Sequence, residues 1–542
     1  MTQVHLYDTT LRDGMQGQGM SLSAAEKVRV VHALDRLGIQ FVEAGFPASN
    51  PKESELFELL ARERFDTTAV TAFGMTRRRG IAADEDPGLR SLTESFAPVV
   101  CLVGKTWALH LEKVTKVTRE ENLAMIVDSV NFCRAAGKRV VYDAEHFFDA
   151  WREDRGYAME CLRAAVAAGA ENVTICDTNG SSLPSQVAEA TRAVVADLGD
   201  RAQVGIHTHN DAECGVANAL AAVEAGARMV QGTINGYGER TGNANLVSIL
   251  PALQLKLGYD VVAPERLRML TETSHFVAEL LNLSSHPDQP YVGRNAFAHK
   301  GGMHVAGVQA DARTFEHIDP KSVGNSRDVL ISELSGTGSV LSRAEEAGIE
   351  LDADAAKRAV ERVKEREHRG YHYEAADASF ELLLRRESGE YTPLFKLESF
   401  RVIVEKRANG RVETEATIKI WVGGNRYVRT AEGNGPVNAL DRALRDAIGD
   451  LYPHLADIEL SDYKVRILDS HDGTAAVTRV LLDSTDGHET WGSIGVSENI
   501  IEASWEALVD SLEHAFQERR ELGKGSDPDP NTAVRSAADE RA

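Results

Sequence analysis

The chain is short of cysteine, of positive charge and of long apolar runs, and each shortage excludes something. Five cysteines occur in 542 residues, and none forms a C-x-x-C pair. Cys101 and Cys176 fall in strand-like apolar runs and Cys133, Cys161 and Cys214 in helical stretches. That is the pattern of free thiols in a reducing cytoplasm, with no disulfide framework. Lysine and arginine number 60 against 83 aspartates and glutamates, for a net charge of −23. This deficit argues against nucleic-acid and anionic-membrane partners, which require basic faces. An anionic ligand such as an acyl-CoA would need a local basic patch. Arg77-Arg78-Arg79 and Lys105 are candidates, and a solvated loop is the plain alternative. No apolar run approaches a membrane span, and the opening MTQVH lacks the basic region and apolar core of a signal peptide. A hydrophobic share of 43% suffices for full cores, and the length implies two or three domains.

What is present is a repeat of apolar strand-like runs, each followed by a helical stretch. The runs are centred on Leu6, Val42, Val70, Cys101, Val141, Thr174, Ile206 and Val230. Eight such units in roughly 250 residues predict a (β/α)₈ barrel over residues 1–259. Ser23 followed by Glu26 reads as a capping box, and Leu37-Gly38 as a helix end. Ionisable residues gather where the runs end: Asp8 to Asp13, Glu43, Asp143 and Glu145, Asp177, His207 with His209, and Glu239-Arg240. Active sites of such barrels lie at the carboxyl ends of the strands, so the distribution predicts an enzyme. His207 and His209 are two apart at a strand end and project in one direction, as a divalent metal requires.

Residues 260–390 change character, with helical segments at 355–367 and 374–386 between glycine-rich loops, and predict a helical linker subdomain. From 391 to 519 a strand-rich pattern ending in a helix occurs twice, with helices at 436–448 and 499–516. It predicts an α+β domain of duplicated βββα units. A dimerisation module without a ligand is the bland alternative for this domain. The tail, 520–542, reads as disordered.

Several of these segments resemble the 2-isopropylmalate, homocitrate and citramalate synthase family. They are Asp8 to Gly14, Phe41 to Pro47, the His207-Thr208-His209 pair, Gly238 to Ala244 and Ala298 to His304. Residues 142–149, 104–107 and 370–379 bring the resemblance nearest to the citramalate branch. Ala431 to Val437 is similar to the mark of the family's allosteric domain. The resemblance implies a Claisen-type condensation of acetyl-CoA with a 2-oxo acid, pyruvate in that branch, followed by thioester hydrolysis to (R)-citramalate and CoA.

It also implies roles for particular residues. Asp13, His207 and His209 would hold a divalent metal (magnesium, manganese or zinc), with Asn243 as fourth ligand or supporting partner. Arg12 would bind substrate and supply fixed positive charge near the ketone oxygen. Thr178 would bind the substrate carboxylate. Glu145 would act as acid or water-activating base, or would orient a ligand histidine. His304 would abstract the acetyl proton, with His299 its local competitor, and the family's linker subdomain would complete the site from the partner subunit of a homodimer. Several relatives carry a tyrosine near Phe315, whose ring here has no hydroxyl. The C-terminal domain would bind an end-product amino acid, isoleucine for a citramalate-forming enzyme. The rivals are a 2-isopropylmalate synthase using 2-oxoisovalerate, a metal-dependent lyase on the same barrel, and an inactive amino-acid sensor.

Overall fold

The computed structural model describes residues 2–47, 49–329, 336–468 and 476–521. These divide into two units: Met1–Phe297 with Glu316–Arg327, and Ala298–Phe315 with Asp328–Ala542. Most of the tail expected to be disordered, from 522 onward, lies outside the described residues.

The first unit is a closed barrel of eight parallel strands: β1 (His5–Asp8), β2 (Phe41–Gly45), β3 (Ala69–Met75), β4 (Val99–Lys105), β5 (Arg139–Glu145), β6 (Asn172–Asp177), β7 (Gln203–Thr208) and β8 (Met229–Gly232). β1 closes it by pairing with β8, His5 opposite Met229 through Asp8 opposite Gly232. Alternation along each strand sends one set of side chains inward and the other toward the helices. The inward set includes Tyr7, Phe41, Val99, Cys101, Val141 and Met229, packed in one cluster. A larger buried shell fills the space between strands and helices, from Val4 and Leu6 through Val230.

Local signals act as read. In the helix Ala24–Leu37, Ser23 and Glu26 form a reciprocal capping box, and Gly38 ends it at φ 93°. Only glycine takes that conformation without strain.

In the second unit, β9 (Ala298–His299) pairs in parallel with β10 (Asp328–Val329). Helices run over Gly302–Ala310, Thr337–Glu346, Ala353–His368 and Asp377–Ser388. Two three-stranded antiparallel sheets follow. One is β11 (Lys396–Lys406), β12 (Val412–Val422) and β13 (Asn425–Gly433); the other is β14 (Glu459–Ile467), β15 (Thr478–Thr485) and β16 (Thr490–Ser497). Each sheet is followed by a helix, Pro436–Ile448 and Ile500–Glu521 respectively. Ala416, Ile418 and Ile420 of β12 share one core with Val480 and Leu482 of β15 and with both helices. The duplicated βββα pattern is thus present. Among the described residues no helix is long and apolar enough to cross a membrane, and all five cysteines are free.

Candidate active site

The carboxyl ends of the barrel strands enclose a cavity of about 360 Å³ whose lining includes Arg12, Asp13, Glu145, Thr178, His207 and His209. His207 is the penultimate residue of β7, and His209 follows that strand in an isolated antiparallel bridge with Asn243. Their rings lie 5.2 Å apart, with the two Nε2 atoms at 3.2 Å. Asp13 Oδ2 stands 3.3 Å from His207 Nε2 and 4.0 Å from His209 Nε2. One donor atom from each of the three residues falls within 4.8 Å of the others, and all three side chains are buried.

This set fits a divalent cation. His207 Nδ1 faces Gln231 Oε1 at 2.8 Å, so the N–H belongs on Nδ1 and the Nε2 lone pair faces the cluster. The Gln231 amide is held in turn, donating to Asp143 Oδ1 at 2.8 Å and to Thr174 Oγ1 at 3.3 Å. Burial alone would lower the His207 pKa, yet the facing Asp13 carboxylate raises it: the cluster attracts positive charge. Burial and the neighbouring His207 hold His209 down to about 4, so it is neutral and able to ligate at pH 7. Asp13 is also buried, but Arg12 and the histidines keep its carboxyl well below the usual carboxylate range.

Asn243 donates its amide N–H to Asp13 Oδ2 at 2.8 Å, while its buried Oδ1 has no hydrogen-bond partner. The contact with Asp13 suits the supporting role expected of Asn243, and the unpartnered Oδ1 suits the ligand role.

Arg12 is fixed on two sides. Its Nε donates to Glu43 Oε1 at 2.5 Å, and its Nη1 lies 3.3 Å from Asp13 Oδ1. Its guanidinium carbon sits 4.0 Å from the centroid of the Phe73 ring. Glu43, fully buried, also accepts from the Tyr7 hydroxyl at 2.6 Å. Glu145 pairs with Lys105 across the β4–β5 ladder, not with a cluster histidine. Thr178 Oγ1 accepts the His146 N–H at 2.9 Å, which leaves its hydroxyl proton available to a ligand.

Three residues that sequence reading gave no role hold these parts together: Glu43, Gln231 and Arg240. Arg240, in the loop after β8, donates to Asp211 Oδ1 at 2.7 Å and to Thr178 O at 2.9 Å, and lies 3.1 Å from His209 Nδ1. It ties together the loops after β6, β7 and β8. A polar glutamine inside the apolar Met229–Gly232 strand was the available signal for Gln231.

His304 belongs to the second unit, on the helix Gly302–Ala310, where its ring stacks on Phe315 at 4.2 Å and 21°. His299 lies in β9 and is buried.

Comparison with known proteins agrees with this architecture. The HMGL-like family profile matches residues 3–277, the homocitrate synthase post-HMGL domain-like profile residues 291–370, and the LeuA allosteric (dimerisation) domain residues 374–516. A protein of Aquifex aeolicus named (R)-citramalate synthase is 47% identical over 96% of this chain and 99% of its own. One of the same name from Streptomyces coelicolor is 49% identical over 94% and 96%. A probable 2-isopropylmalate synthase of Methanopyrus kandleri is 34% identical over 96% and 99%. Identity of 47–49% along nearly the full length of both chains, with the three profiles in unbroken order, makes this chain a member of the (R)-citramalate synthase family.

Proposed function

We propose that this protein condenses the acetyl group of acetyl-CoA with pyruvate and hydrolyses the thioester, giving (R)-citramalate and CoA. The observation that carries this is the convergence of Arg12, Asp13, His207 and His209 at one barrel mouth, in a chain so similar to proteins of that name.

The metal would be held by Asp13, His207 and His209, and when bound it supplies Lewis-acid polarisation of the 2-oxo acid. Two imidazoles with one carboxylate suit zinc better than magnesium, which prefers oxygen ligands. Arg12, fixed by Glu43, keeps N–H donors directed at the cavity, where they stabilise negative charge developing on the ketone oxygen. The Thr178 hydroxyl donates to the substrate carboxylate. Glu145, held beside the Lys105 ammonium, passes a proton to or from the reacting oxygen. By the family resemblance, the acetyl methyl proton would go to the imidazole of a His304 supplied by the partner subunit of a homodimer. Phe73, Met75 and Val103 give the cavity its apolar wall, against which the pyruvate methyl packs.

In the C-terminal domain, a cavity of about 280 Å³ has Leu460, Leu482, Leu508 and Leu512 in its wall beside the paired Asp441 and Arg445. An apolar pocket with one acid and one base suits a branched-chain amino acid, and isoleucine is the proposed feedback ligand. The domain's family match and the exposed Val404 and Val412 of the first sheet and Val465 and Ile467 of the second support a homodimer. The free cysteines suit a cytoplasmic setting.

Thiol release from acetyl-CoA, measured with a panel of 2-oxo acids, tests the reading. The highest kcat/KM is expected with pyruvate. A higher value with 2-oxoisovalerate would reassign the protein to the isopropylmalate reaction.

A further inference from the structure

A second set of metal-type donors reaches the reaction cavity through Glu145, which lines it. His110, Glu145 and His146 each offer one ligand atom, and these atoms all lie within 4.8 Å of one another. Glu145 ends β5, His146 follows it, and His110 ends the short helix Ala108–His110 after β4. The two imidazole rings are 4.2 Å apart. Trp107 flanks both, its ring 5.5 Å from that of His110 and 5.4 Å from that of His146. Neither imidazole has a part in the condensation described above.

Hydrogen bonding leaves nitrogen lone pairs for a cation. His146 Nδ1 faces Asp149 Oδ2 at 2.9 Å. Burial works against the charge of Asp149, but the bond to His146 and the nearby Arg152 hold its carboxyl below the ordinary range. Asp149 therefore accepts, the N–H belongs on His146 Nδ1, and Nε2 of the neutral ring keeps its lone pair. Asp149 is held in turn, accepting from Arg152 Nη2 at 2.5 Å and from Asn179 Nδ2 at 3.0 Å. A carboxylate behind an imidazole is the arrangement that orients zinc-binding histidines. His110 Nδ1 is buried without a hydrogen-bond partner. Burial, and after it the neighbouring His146, lowers the His110 pKa, so its ring is neutral at pH 7. A buried nitrogen left unpaired calls for a partner, and a cation among the three donors supplies one.

We propose that His110, Glu145 and His146 form a second, inhibitory site for a zinc ion. Two imidazoles and one carboxylate are donors that zinc accepts in four-coordinate sites, with one position left for water. Glu145 already holds a cation, the Lys105 ammonium, and zinc competes with that ammonium for the carboxylate. The competition makes the site weak, so that it fills in excess zinc and empties on dialysis. When filled, it withholds Glu145 from the proton transfer assigned to it above, and the inhibitory role rests on that reading.

An equilibrium zinc titration of the full-length protein against a chromophoric chelator, run alongside thiol release, tests this. His110→Gln should bind one zinc fewer than the wild type and keep the tight equivalent. His207→Ala should lose the tight equivalent and keep the weak one. Turnover of the metal-loaded wild type should fall in excess zinc. In His110→Gln that fall should need about tenfold more zinc or higher, since losing a ligand costs at least what losing an outer partner does. Its kcat before the excess should be unchanged, because Glu145 and Lys105 stay in place. Equal zinc counts in the wild type and His110→Gln, or inhibition at the same zinc concentration, would overturn the assignment. Should His110→Gln fail to fold, His146→Asn takes its place under the same criteria, asparagine being tolerant of the φ of 55° found there. Failure of the wild type to release thiol with any 2-oxo acid would count against the condensation itself, while the zinc counts still decide whether the site exists.

Discussion

Replacing Arg12 by lysine separates the shape of the cation from its charge. The guanidinium reaches Glu43 at 2.5 Å and Asp13 at 3.3 Å, with its carbon 4.0 Å from the centroid of the Phe73 ring. An ammonium on a lysine stem can hold one of those two anions, not both, and it cannot stack as a plane. Glu43 and Asp13 keep a nearby positive charge, so the fold should survive. The donor aimed at the reacting oxygen is lost. Removing one such preorganised donor costs about 3–4 kcal/mol in the transition state, or roughly 10²–10³ in kcat. Arg12→Met makes the contrast. It leaves the fully buried Glu43 with only the Tyr7 hydroxyl, and a stranded buried charge costs about 3–5 kcal/mol of stability. Steady-state thiol release gives kcat and KM, thermal unfolding gives Tm, and elemental analysis gives metal content. The expected pattern is near-native Tm and metal with a collapsed kcat for Arg12→Lys, and a lowered Tm for Arg12→Met. If Arg12→Lys retains kcat within about threefold, or loses it only in proportion to lost metal, Arg12 merely supports Asp13 and the assigned role is wrong.

Chelation should abolish turnover, and His207→Ala or His209→Ala should strip the metal during dialysis; native occupancy in either variant would remove that residue from the ligand set. Gln231→Leu should weaken metal binding by about 10–100-fold, because His207 loses the acceptor that orients it, and unchanged affinity by competition with a chelator would contradict this. Asp35 accepts backbone N–H bonds from Asp66, Thr67 and Thr68 at 2.8–3.1 Å; burial works against its charge, but these bonds hold its pKa below the ordinary value. Its contribution is therefore full above the unfolded pKa of about 4 and fades as pH falls through the lower folded value. Asp35→Ala should cost about 2–3 kcal/mol at pH 7, and the wild-type and variant Tm values should converge in acid; a gap that stays constant to pH 2 would refute the linkage. Isoleucine should bind the intact protein in calorimetry and inhibit turnover, and no heat with isoleucine, leucine or valine would leave the C-terminal domain an assembly module.

The barrel was legible because one physical pattern repeats: a buried apolar run, then a helix. Where the reading fell short, it did so at one end. Apolar runs stop near Val103 and Tyr142, but β4 continues to Lys105 and β5 to Glu145, opposite each other in the ladder. Hydropathy drops there while backbone hydrogen bonding continues, because those ends face a polar cavity and not the core. The boundary error therefore falls on the functional residues. In the second unit, the helix Pro436–Ile448 was legible to the residue from its N-terminal proline and strong apolar face. The strand Asn425–Gly433 was not delimited. Its side chains are mixed and mostly exposed, so it is held by its ladder with β12 and not by a buried stripe.

At the site, residue types were readable and pairings were not. Four acids, Asp8, Asp13, Glu43 and Asp143, lie near one another at the strand ends and look alike in the sequence. Their surroundings separate them. Burial, with Glu43 adding its charge, raises Asp8 to about 7 and Asp143 to about 6. Both therefore sit near the point of carrying a proton at neutral pH. Asp13 is buried as well, but the adjacent Arg12 and the facing histidines keep it ionised. Asp13 thus stays charged facing the two imidazoles and Glu43 is matched by Arg12, while burial partly silences Asp8 and Asp143. A cation entering this mouth meets one carboxylate, Asp13, beside the two imidazoles, while Asp8, Glu43 and Asp143 are bonded to Thr10, Arg12 and Gln231. That selection depends on which acid Arg12 touches, a fact of three-dimensional packing to which a run of residues such as Thr10-Leu11-Arg12-Asp13 gives no access.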